Sequence, residues 1–197
     1  MARTFEQILN TLDNVLADLD EIKKDKPVND TKIGHTFQLA GLQWKVLDVV
    51  DGGYLCLTEK LDSNMKFDEE SNNWETSKLR EYLNGEFHNM LAANIGSENI
   101  IPFTRNLLSL DGQTEYGRCE DKVSLLTVDE YRKYRDLIPN ANYWWWLITP
   151  WSTKCNGYTN WSAVVSPQGF VIGDICDNRY GVRPLCIFSS KIFESKG

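Results

Sequence analysis

An eight-residue run of aromatic and β-branched side chains, Tyr143–Pro150 (YWWWLITP), constrains the fold more than any other part of the sequence. Runs of this length and composition are typical of β-strands, and proline stops them. Successive side chains of a strand point to opposite faces, so Trp145 is expected to oppose Trp144 and Trp146. Large aromatic side chains are mostly buried, so at least two of the three should lie in the core.

The residues after this strand predict a rigid frame that carries two polar loops. A hairpin is expected over residues 161–172 around the turn Ser-Pro-Gln-Gly, and a last strand is expected within residues 180–188. Between these elements lie two polar segments, residues 151–160 (loop A) and residues 173–180 (loop B). We expect one sheet to present both loops, an arrangement that is typical of binding surfaces.

An amphipathic helix is predicted at the start of the chain, over residues 1–26. Its apolar positions within residues 5–22 follow a heptad pattern of three repeats, and Pro27 disfavours helix in the residue before it. Two interpretations are equally compatible with this pattern. The helix packs on its own domain, or it is a short coil that joins protomers into a homo-oligomer. The remaining residues, 27–197, are expected to form one domain.

Alternating apolar residues predict three strands early in this domain, within residues 36–39, 42–47 and 54–58. The turn Asp51-Gly52-Gly53 between the last two predicts a β-hairpin. Residues 67–73 are expected to form a loop, and residues 94–122 are expected to be mostly irregular.

Two helices are predicted in the middle of the chain. Thr76 and Ser77 can cap the first, in which Asn84-Gly85 weakens the centre. Its apolar face is formed by Leu79, Tyr82, Leu83, Phe87, Met90 and Leu91. A capping box, Thr127 with Glu130, opens the second, and Pro139 is expected to end it. Strands and helices that are segregated in this way predict an α+β fold with a mixed or antiparallel sheet.

Charge and composition exclude several classes of function. A formal net charge of −7 and a pI of about 4.9 leave no basic strip for nucleic acid. No apolar run is long enough to insert into a membrane, and no signal peptide is apparent, which favours a cytoplasmic or virion-associated protein. The five cysteines lack C-x-x-C spacing and predict reduced thiols rather than a metal site.

Several short motifs occur in an order that resembles one protein family. They are Trp44–Asp48 (WKVLD), Trp74, Ser77–Arg80 (SKLR), Leu83-Asn84, Val123–Thr127 (VSLLT), Tyr131, Trp144–Pro150 (WWWLITP) and Gly181–Pro184 (GVRP). This is a bacterial and phage family of domains with a C-type-lectin-like fold, related to formylglycine-generating enzymes. Some members are variable proteins of diversity-generating retroelements, in which adenine-directed substitution diversifies a C-terminal ligand-binding surface. The resemblance implies this fold for residues 33–190.

The loops have the composition that such a surface requires. Tyr, Ser, Asn and Gly are typical of antibody paratopes, because they combine aromatic area with adaptable hydrogen bonding. Adenine-directed change of Asn codons does not produce Lys, Gln, Met, Glu or Trp, which are absent from residues 155–162 except for Trp161, and absent from residues 173–180. The predicted ligand-binding residues are Trp151, Ser152, Cys155, Asn156, Tyr158, Asn160, Ser162, Asp174, Cys176, Asp177, Asn178 and Tyr180. The expected partner is a protein or cell-surface ligand.

Catalysis and metal binding are weaker interpretations. The sugar-coordinating tripeptides of calcium-dependent lectins are absent, and Asp174 and Asp177 have no third acid nearby. An oxidase of the formylglycine-generating kind would need a thiol pair, but Cys155 and Cys176 lie in different loops. We therefore expect no catalytic residue, metal or cofactor. An oxidase or a structural phage or prophage protein remains the alternative.

Overall fold

Antiparallel β-sheets form the frame of the protein. The computed structural model describes residues 32–59, 61 and 63–193. The strands are β1 (Thr36–Leu39), β2 (Leu42–Val50), β3 (Gly53–Thr58), β4 (Ile100–Ile101), β5 (Phe103–Asn106), β6 (Arg118–Asp121), β7 (Val123–Ser124), β8 (Trp145–Pro150), β9 (Trp161–Val165), β10 (Val171–Ile175) and β11 (Leu185–Ser189). The early strands, the β2–β3 hairpin and the β9–β10 hairpin confirm the predicted pattern.

The strands form three sheets. The largest has six strands in the order β1-β2-β3-β11-β4, and β7 also pairs with β11. A second sheet has the order β10-β9-β8, and β5 pairs with β6 in a separate hairpin. A single parallel bridge between Trp145 and Gly181 links β8 to the segment before β11.

A helix, α1, covers one face of the frame. It begins as an α-helix at Lys78–Tyr82, becomes π-helical at Leu83–Phe87 and returns to α-helix at His88–Ile95. The side chain of Ser77 caps it by accepting a hydrogen bond from the Arg80 amide at 3.2 Å, as predicted. The π-helical turn widens the helix, so the buried positions recur at every fourth residue. They are Leu79, Leu83, Phe87 and Leu91.

The predicted apolar face of this helix was wrong at two positions. Met90 is exposed and Tyr82 is only half-buried, because the π-helical turn rotates both away from the centre of the core. The weak pair Asn84-Gly85 does not break the helix. The Asn84 side chain instead donates a 2.8 Å hydrogen bond to the Val123 carbonyl and accepts from the amides of Lys122 and Val123.

The second helix, α2 (Val128–Lys133), has the predicted capping box of Thr127 and Glu130. It ends earlier than expected. The α-helix stops at Lys133, and a 3-10 turn, Arg135–Leu137, leads to the loop with Pro139. The Arg135 guanidinium donates a 2.6 Å hydrogen bond to the Ile138 carbonyl, which closes this turn before the proline is reached.

The core consists of two clusters, one on each face of the central strands. Trp146 belongs to the cluster under α1, whereas Trp145 belongs to the cluster under α2, and both are buried. Trp144 is partly buried on the same side as Trp146. The prediction that Trp145 opposes its two neighbours, with at least two of them in the core, is therefore confirmed. The described residues are an α+β fold with mostly antiparallel sheets.

The prediction of mostly irregular structure over residues 94–122 holds only in part. These residues contain β4 and the β5–β6 hairpin. The inward positions of the hairpin are Arg105, Cys119 and Asp121, which are buried, so no run of apolar residues marks the two strands. Arg105 forms an ion pair with Glu130 of α2, and Asp121 accepts a 2.6 Å hydrogen bond from Arg80.

The expectation that one sheet presents both loops was also wrong. Loop A joins β8 to β9 within the three-stranded sheet, but loop B leads from β10 into β11, which lies in the six-stranded sheet. Strand β11 is apolar on both faces, and it is buried between β3 on one side and β4 and β7 on the other.

The predicted N-terminal helix over residues 1–26, including the oligomerising positions 5–22, lies outside the described residues. Within the part of the chain that the structure describes, no helix is both long and apolar enough to cross a membrane.

Candidate ligand-binding surface

Asn72, which is fully buried, holds loop A in place. Its side-chain amide donates to the carbonyls of Ser152 at 2.9 Å, Tyr158 at 3.1 Å and Trp161 at 2.8 Å. The carbonyl oxygen of the same side chain accepts a 2.8 Å hydrogen bond from the Tyr116 hydroxyl. Asn72 lies outside the loop, so these bonds to the loop backbone do not depend on the exposed side chains of the loop itself.

An open cleft of about 400 Å³ lies where loop A meets the loop between β5 and β6. We call it the Asp111 cleft, and it is lined by Leu110, Asp111, Trp151, Ser152, Asn156 and Tyr158. The Asp111 carboxylate accepts 2.7 Å hydrogen bonds from the Ser152 hydroxyl and from the Asn156 amide. The Ser109 hydroxyl donates a third, at 2.5 Å, to its other oxygen.

These contacts keep Asp111 ionised. The hydrogen bond from Ser109, followed by those from Ser152 and Asn156, holds the pKa of the Asp111 carboxyl below its usual value. A backbone hydrogen bond of 2.9 Å from the Leu110 amide to the Pro150 carbonyl joins the loop between β5 and β6 to the end of β8, next to loop A. The cleft therefore carries a fixed negative charge beside two aromatic rings.

Trp151 is held against β10. A Cβ atom built on Gly173 would lie only 2.5 Å from the Trp151 ring, so the glycine leaves the space that the indole fills. The Trp151 amide also donates a 2.9 Å hydrogen bond to the Trp161 carbonyl. Loop A is thus tied to the sheet by both its backbone and its first side chain.

Loop B is organised around Asp174. One carboxylate oxygen accepts from the Ile175 amide at 2.7 Å and from the Asn178 side chain at 2.9 Å, and the other accepts from the Tyr180 hydroxyl. Burial, together with this carboxylate, raises the pKa of Tyr180 to about 12, so its hydroxyl remains a donor at neutral pH. Asp177 forms an ion pair with Lys66.

The two loops touch, but their side chains form two patches and not the single surface that was predicted. The Cys176 amide donates a 2.8 Å hydrogen bond to the Asn160 carbonyl, which joins the loops. Trp151 covers the face of β10 on which a side chain at position 173 would lie. The Asp174 side chain lies on the opposite face, because strand side chains alternate. One patch is therefore the Asp111 cleft, and the other is formed by Asp174, Asn178 and Tyr180.

Three of the predicted ligand-binding residues are buried. The Ser162 hydroxyl lies near the carbonyls of Leu147 at 3.2 Å and Thr149 at 3.1 Å, where the pairing of β8 with β9 is irregular. Ser152 is buried and oriented by Asp111. Cys176 lies in the core, where burial raises the pKa of its thiol. Ser162 and Cys176 are therefore structural residues and not ligand contacts, and Ser152 is a buried support of the Asp111 cleft.

The other predicted residues reach solvent. Tyr158 is 52% exposed, and Trp151, Asp174 and Tyr180 are half-buried. The exposed ones are Cys155, Asn156, Asn160, Asp177 and Asn178. The test that would have excluded a surface role, burial of Tyr158 and Tyr180 with their hydroxyls bonded to backbone, is not met. Tyr180 bonds to a side chain instead.

Several residues at this surface were not predicted from the sequence. Asp111 lies in a segment that was predicted to be irregular, and Asn72 lies in a short polar loop, where asparagine is an ordinary turn residue. Phe170, Ile172 and Ile175 are exposed apolar residues along β10, the edge strand of its sheet. The alternation of the β9–β10 hairpin could have revealed Phe170 and Ile172, because both fall on the face of β10 opposite Gly173.

Other candidate sites are less suited to a ligand. A cleft of about 450 Å³ beyond Leu110 contains Arg105 and Glu130, which already neutralise each other through two hydrogen bonds of 2.7 Å and 2.5 Å. Within the described residues, no three His, Cys, Asp or Glu side chains are grouped closely enough to hold a metal ion.

Comparison of the chain with protein-family models, with curated proteins and with solved structures finds no match.

Proposed function

We propose that this protein binds a protein or cell-surface ligand through a diversified C-terminal surface on a C-type-lectin-like domain. It would be the variable protein of a diversity-generating retroelement. The two patches described above, the Asp111 cleft and the group around Tyr180, would contact the ligand. Trp151, Asn156 and Tyr158 belong to the first patch, and Asp174, Asn178 and Tyr180 to the second.

The observation that carries this proposal is the support of loop A by Asn72. Three backbone carbonyls of residues 152–161 are bonded by one buried side chain from elsewhere in the chain. Exposed side chains of the loop can therefore change without removing the bonds that fix its backbone. A surface that must accept many sequences requires this separation of frame and contact residues.

The residues of the sequence motifs support the same separation of frame and contact residues, because they form the frame. Asp121 accepts a 2.7 Å hydrogen bond from the Trp74 indole and a 2.6 Å hydrogen bond from Arg80. Arg183 donates to the Thr58 carbonyl at 3.1 Å and stacks on the Trp145 ring at 4.9 Å. Arg183 is therefore a structural donor to backbone.

The oxidase alternative does not fit the thiols. A copper-dependent oxidase of the formylglycine-generating kind would need two cysteines presented to one site. Cys155 is exposed and lies 3.6 Å from a Glu115 carboxylate oxygen, whereas Cys176 is buried with a raised pKa. The buried thiol is neither accessible nor readily ionised.

A displayed library tests the proposal. Residues Asn156, Tyr158, Asn160, Asp177 and Asn178 are randomised together, and a control library randomises exposed polar positions of α1. Protease resistance reports folding, and selection against a panel of purified proteins reports binding. We expect both libraries to fold, and only the loop library to yield specific binders. Equal yields from the two libraries, or loss of protease resistance in most loop variants, would contradict the proposal.

The source genome provides an independent check on the native role. A reverse transcriptase gene close to this one, with a near-copy of the last hundred or so bases that differs at adenines, is the expected arrangement.

A further inference from the structure

We propose that the Asp111 cleft binds a cationic side chain of the protein ligand, the guanidinium of an arginine or the ammonium of a lysine. This inference rests on the proposed binding function and names the chemistry that one of its two patches recognises.

The first support is the charge state of Asp111. All three of its side-chain hydrogen bonds come from the neutral groups of Ser109, Ser152 and Asn156. Within the described residues, no lysine or arginine forms an ion pair with this carboxylate. Its negative charge is therefore oriented but not neutralised.

The second support is the unused hydrogen-bonding capacity of the carboxylate. A carboxylate offers about four acceptor positions, two on each oxygen. Ser152 and Asn156 occupy both positions of Oδ2, and Ser109 occupies one position of Oδ1. Oδ1 therefore carries fewer side-chain donors than Oδ2, and it is the oxygen that suits an N–H donor from a ligand.

The third support is the aromatic lining. Trp151 and Tyr158 line the same cleft, and Leu110 adds an apolar wall. A cation over an aromatic ring is attracted by the ring electrons, and a carboxylate beside the ring strengthens the attraction. Trp151 is fixed against Gly173, so its ring needs little ordering when a ligand binds. The apolar wall suits the methylene stem of lysine or arginine.

Other carboxylates of the loops are less suited to this role. Asp177 is already paired with Lys66. Asp174 accepts as many hydrogen bonds as Asp111, but it lines neither of the two clefts described above. Asp111 combines an aromatic-lined cleft with a charge that no lysine or arginine of the described residues neutralises. A cationic group of a ligand would therefore meet an opposite charge and aromatic rings in this cleft.

Selection from a random 12-residue peptide library on the wild-type protein tests this inference. We expect the peptides that bind the loops to be enriched in arginine or lysine. Each chosen peptide is then synthesised in a neutral form, with citrulline for arginine or acetyl-lysine for lysine. Isothermal titration calorimetry should show that neutralisation weakens binding at least about tenfold, the size of a favourable cation–π contact with its charge partner.

Three variants assign the effect to the cleft. Asp111→Asn should weaken the cationic peptide about as much as citrulline does, and it should leave the affinity of the citrulline peptide nearly unchanged. Tyr158→Leu should weaken the cationic peptide more than the neutral one, and it serves as a second variant because Tyr158 is largely exposed. Glu86→Gln, an exposed carboxylate of α1, should bind both peptides like the wild type.

The possible failures are distinguishable. If loop-binding peptides are captured but show no arginine or lysine enrichment, or if Asp111→Asn weakens both peptide forms equally, the inference is wrong and the proposed function stands. If no captured peptide depends on the loops, both are wrong. Competition by calcium chloride that sodium chloride of equal ionic strength does not reproduce would identify a metal site and overturn the inference.

Discussion

Asn72 is the residue on which the conformation of loop A depends. Truncation to alanine removes one buried amide that serves three loop carbonyls and the Tyr116 hydroxyl. Each lost hydrogen bond contributes about 0.5–1.5 kcal/mol, and buried groups left without partners cost more. We expect Asn72→Ala to lower the free energy of unfolding by roughly 3 kcal/mol in urea titrations. Amide exchange in residues 151–160 should also accelerate.

The control for this prediction is Asn89→Ala, at an exposed position of α1. Exposed substitutions of this kind usually change stability by within about 0.5 kcal/mol. A loss in Asn72→Ala no larger than in this control would show that loop A is held by other contacts.

Gly173 and Gly85 form a matched pair in which the same substitution should have opposite effects. A Cβ at Gly173 would meet the Trp151 ring at 2.5 Å, whereas a Cβ at Gly85 has nothing within 4 Å. Gly173→Ala should therefore destabilise by about 1–3 kcal/mol, the usual cost of overpacking, and should displace Trp151. Gly85→Ala should stabilise the helix by about 0.5–1 kcal/mol. Chemical denaturation measures both changes, and two effects of the same sign would contradict this account.

At the level of single residues, the sequence predicts which side chains belong to the surface better than it predicts what supports them. The polar, aromatic composition of loop A identified Tyr158 and Asn156, which are exposed. It could not distinguish Ser162 from the exposed residues, although the Ser162 hydroxyl donates hydrogen bonds to carbonyls of β8. It also could not find Asn72 or Asp111, because the residues of loop A that they contact lie more than 40 positions away along the chain.

At the level of elements, predictions succeeded where apolar side chains alternate and failed where charged groups take the inward positions. The β2–β3 hairpin follows from its apolar alternation and its Asp-Gly turn. The β5–β6 hairpin was missed because its inward positions include Arg105 and Asp121, which are buried. Charged residues can be buried when distant parts of the chain pair with them, and a local sequence pattern does not show those partners.

Arg105 and Glu130 join this hairpin to α2 and should make stability depend on pH. Burial raises the pKa of Glu130, but the hydrogen bonds and positive charge of Arg105 outweigh it and leave the pKa below its usual value. The stabilising contribution is therefore complete above the unfolded pKa of about 4.3 and is lost as the pH falls through the folded pKa.

Glu130→Gln leaves the buried guanidinium without its countercharge and should cost about 3–5 kcal/mol at pH 7. The difference from the wild type should narrow as the pH falls below about 4, because the wild type then loses the same charge. Denaturation at a series of pH values measures both effects. Asp129→Asn, which removes an exposed ion pair with Arg132, should cost less than about 1 kcal/mol. A pH-independent difference between Glu130→Gln and the wild type would contradict the assignment.

At the level of the whole molecule, the structure separates a frame from a contact surface. The frame consists of antiparallel sheets whose central strands are buried on both faces, with α1 over one core cluster and α2 over the other. Its polar residues, such as Arg80 with Asp121 and Arg183 with Thr58, are directed inward at other frame residues. The loop residues lie at the end of this frame, and their bonds are mostly to other loop residues.

This separation predicts that substitutions in the two regions have very different costs. Replacing Asn156, Asn160, Asp177 and Asn178 together with serine should change the unfolding free energy by within about 0.5 kcal/mol per position, because all four are exposed. Trp145→Ala should cost roughly 3–5 kcal/mol, because it removes a buried ring on which Arg183 stacks.

In a domain of this size, about 1 kcal/mol corresponds to roughly 2–4 °C in Tm. The fourfold loop variant should therefore melt within a few degrees of the wild type, whereas Trp145→Ala should melt about 10 °C lower. Differential scanning calorimetry compares them directly, and binding of the selected peptides provides the second measurement. The loop variant should lose affinity while it keeps its Tm, since its side chains serve contact and not folding. A fourfold variant that melts as low as Trp145→Ala would mean that the loops are part of the frame, and the binding proposal would lose its structural basis.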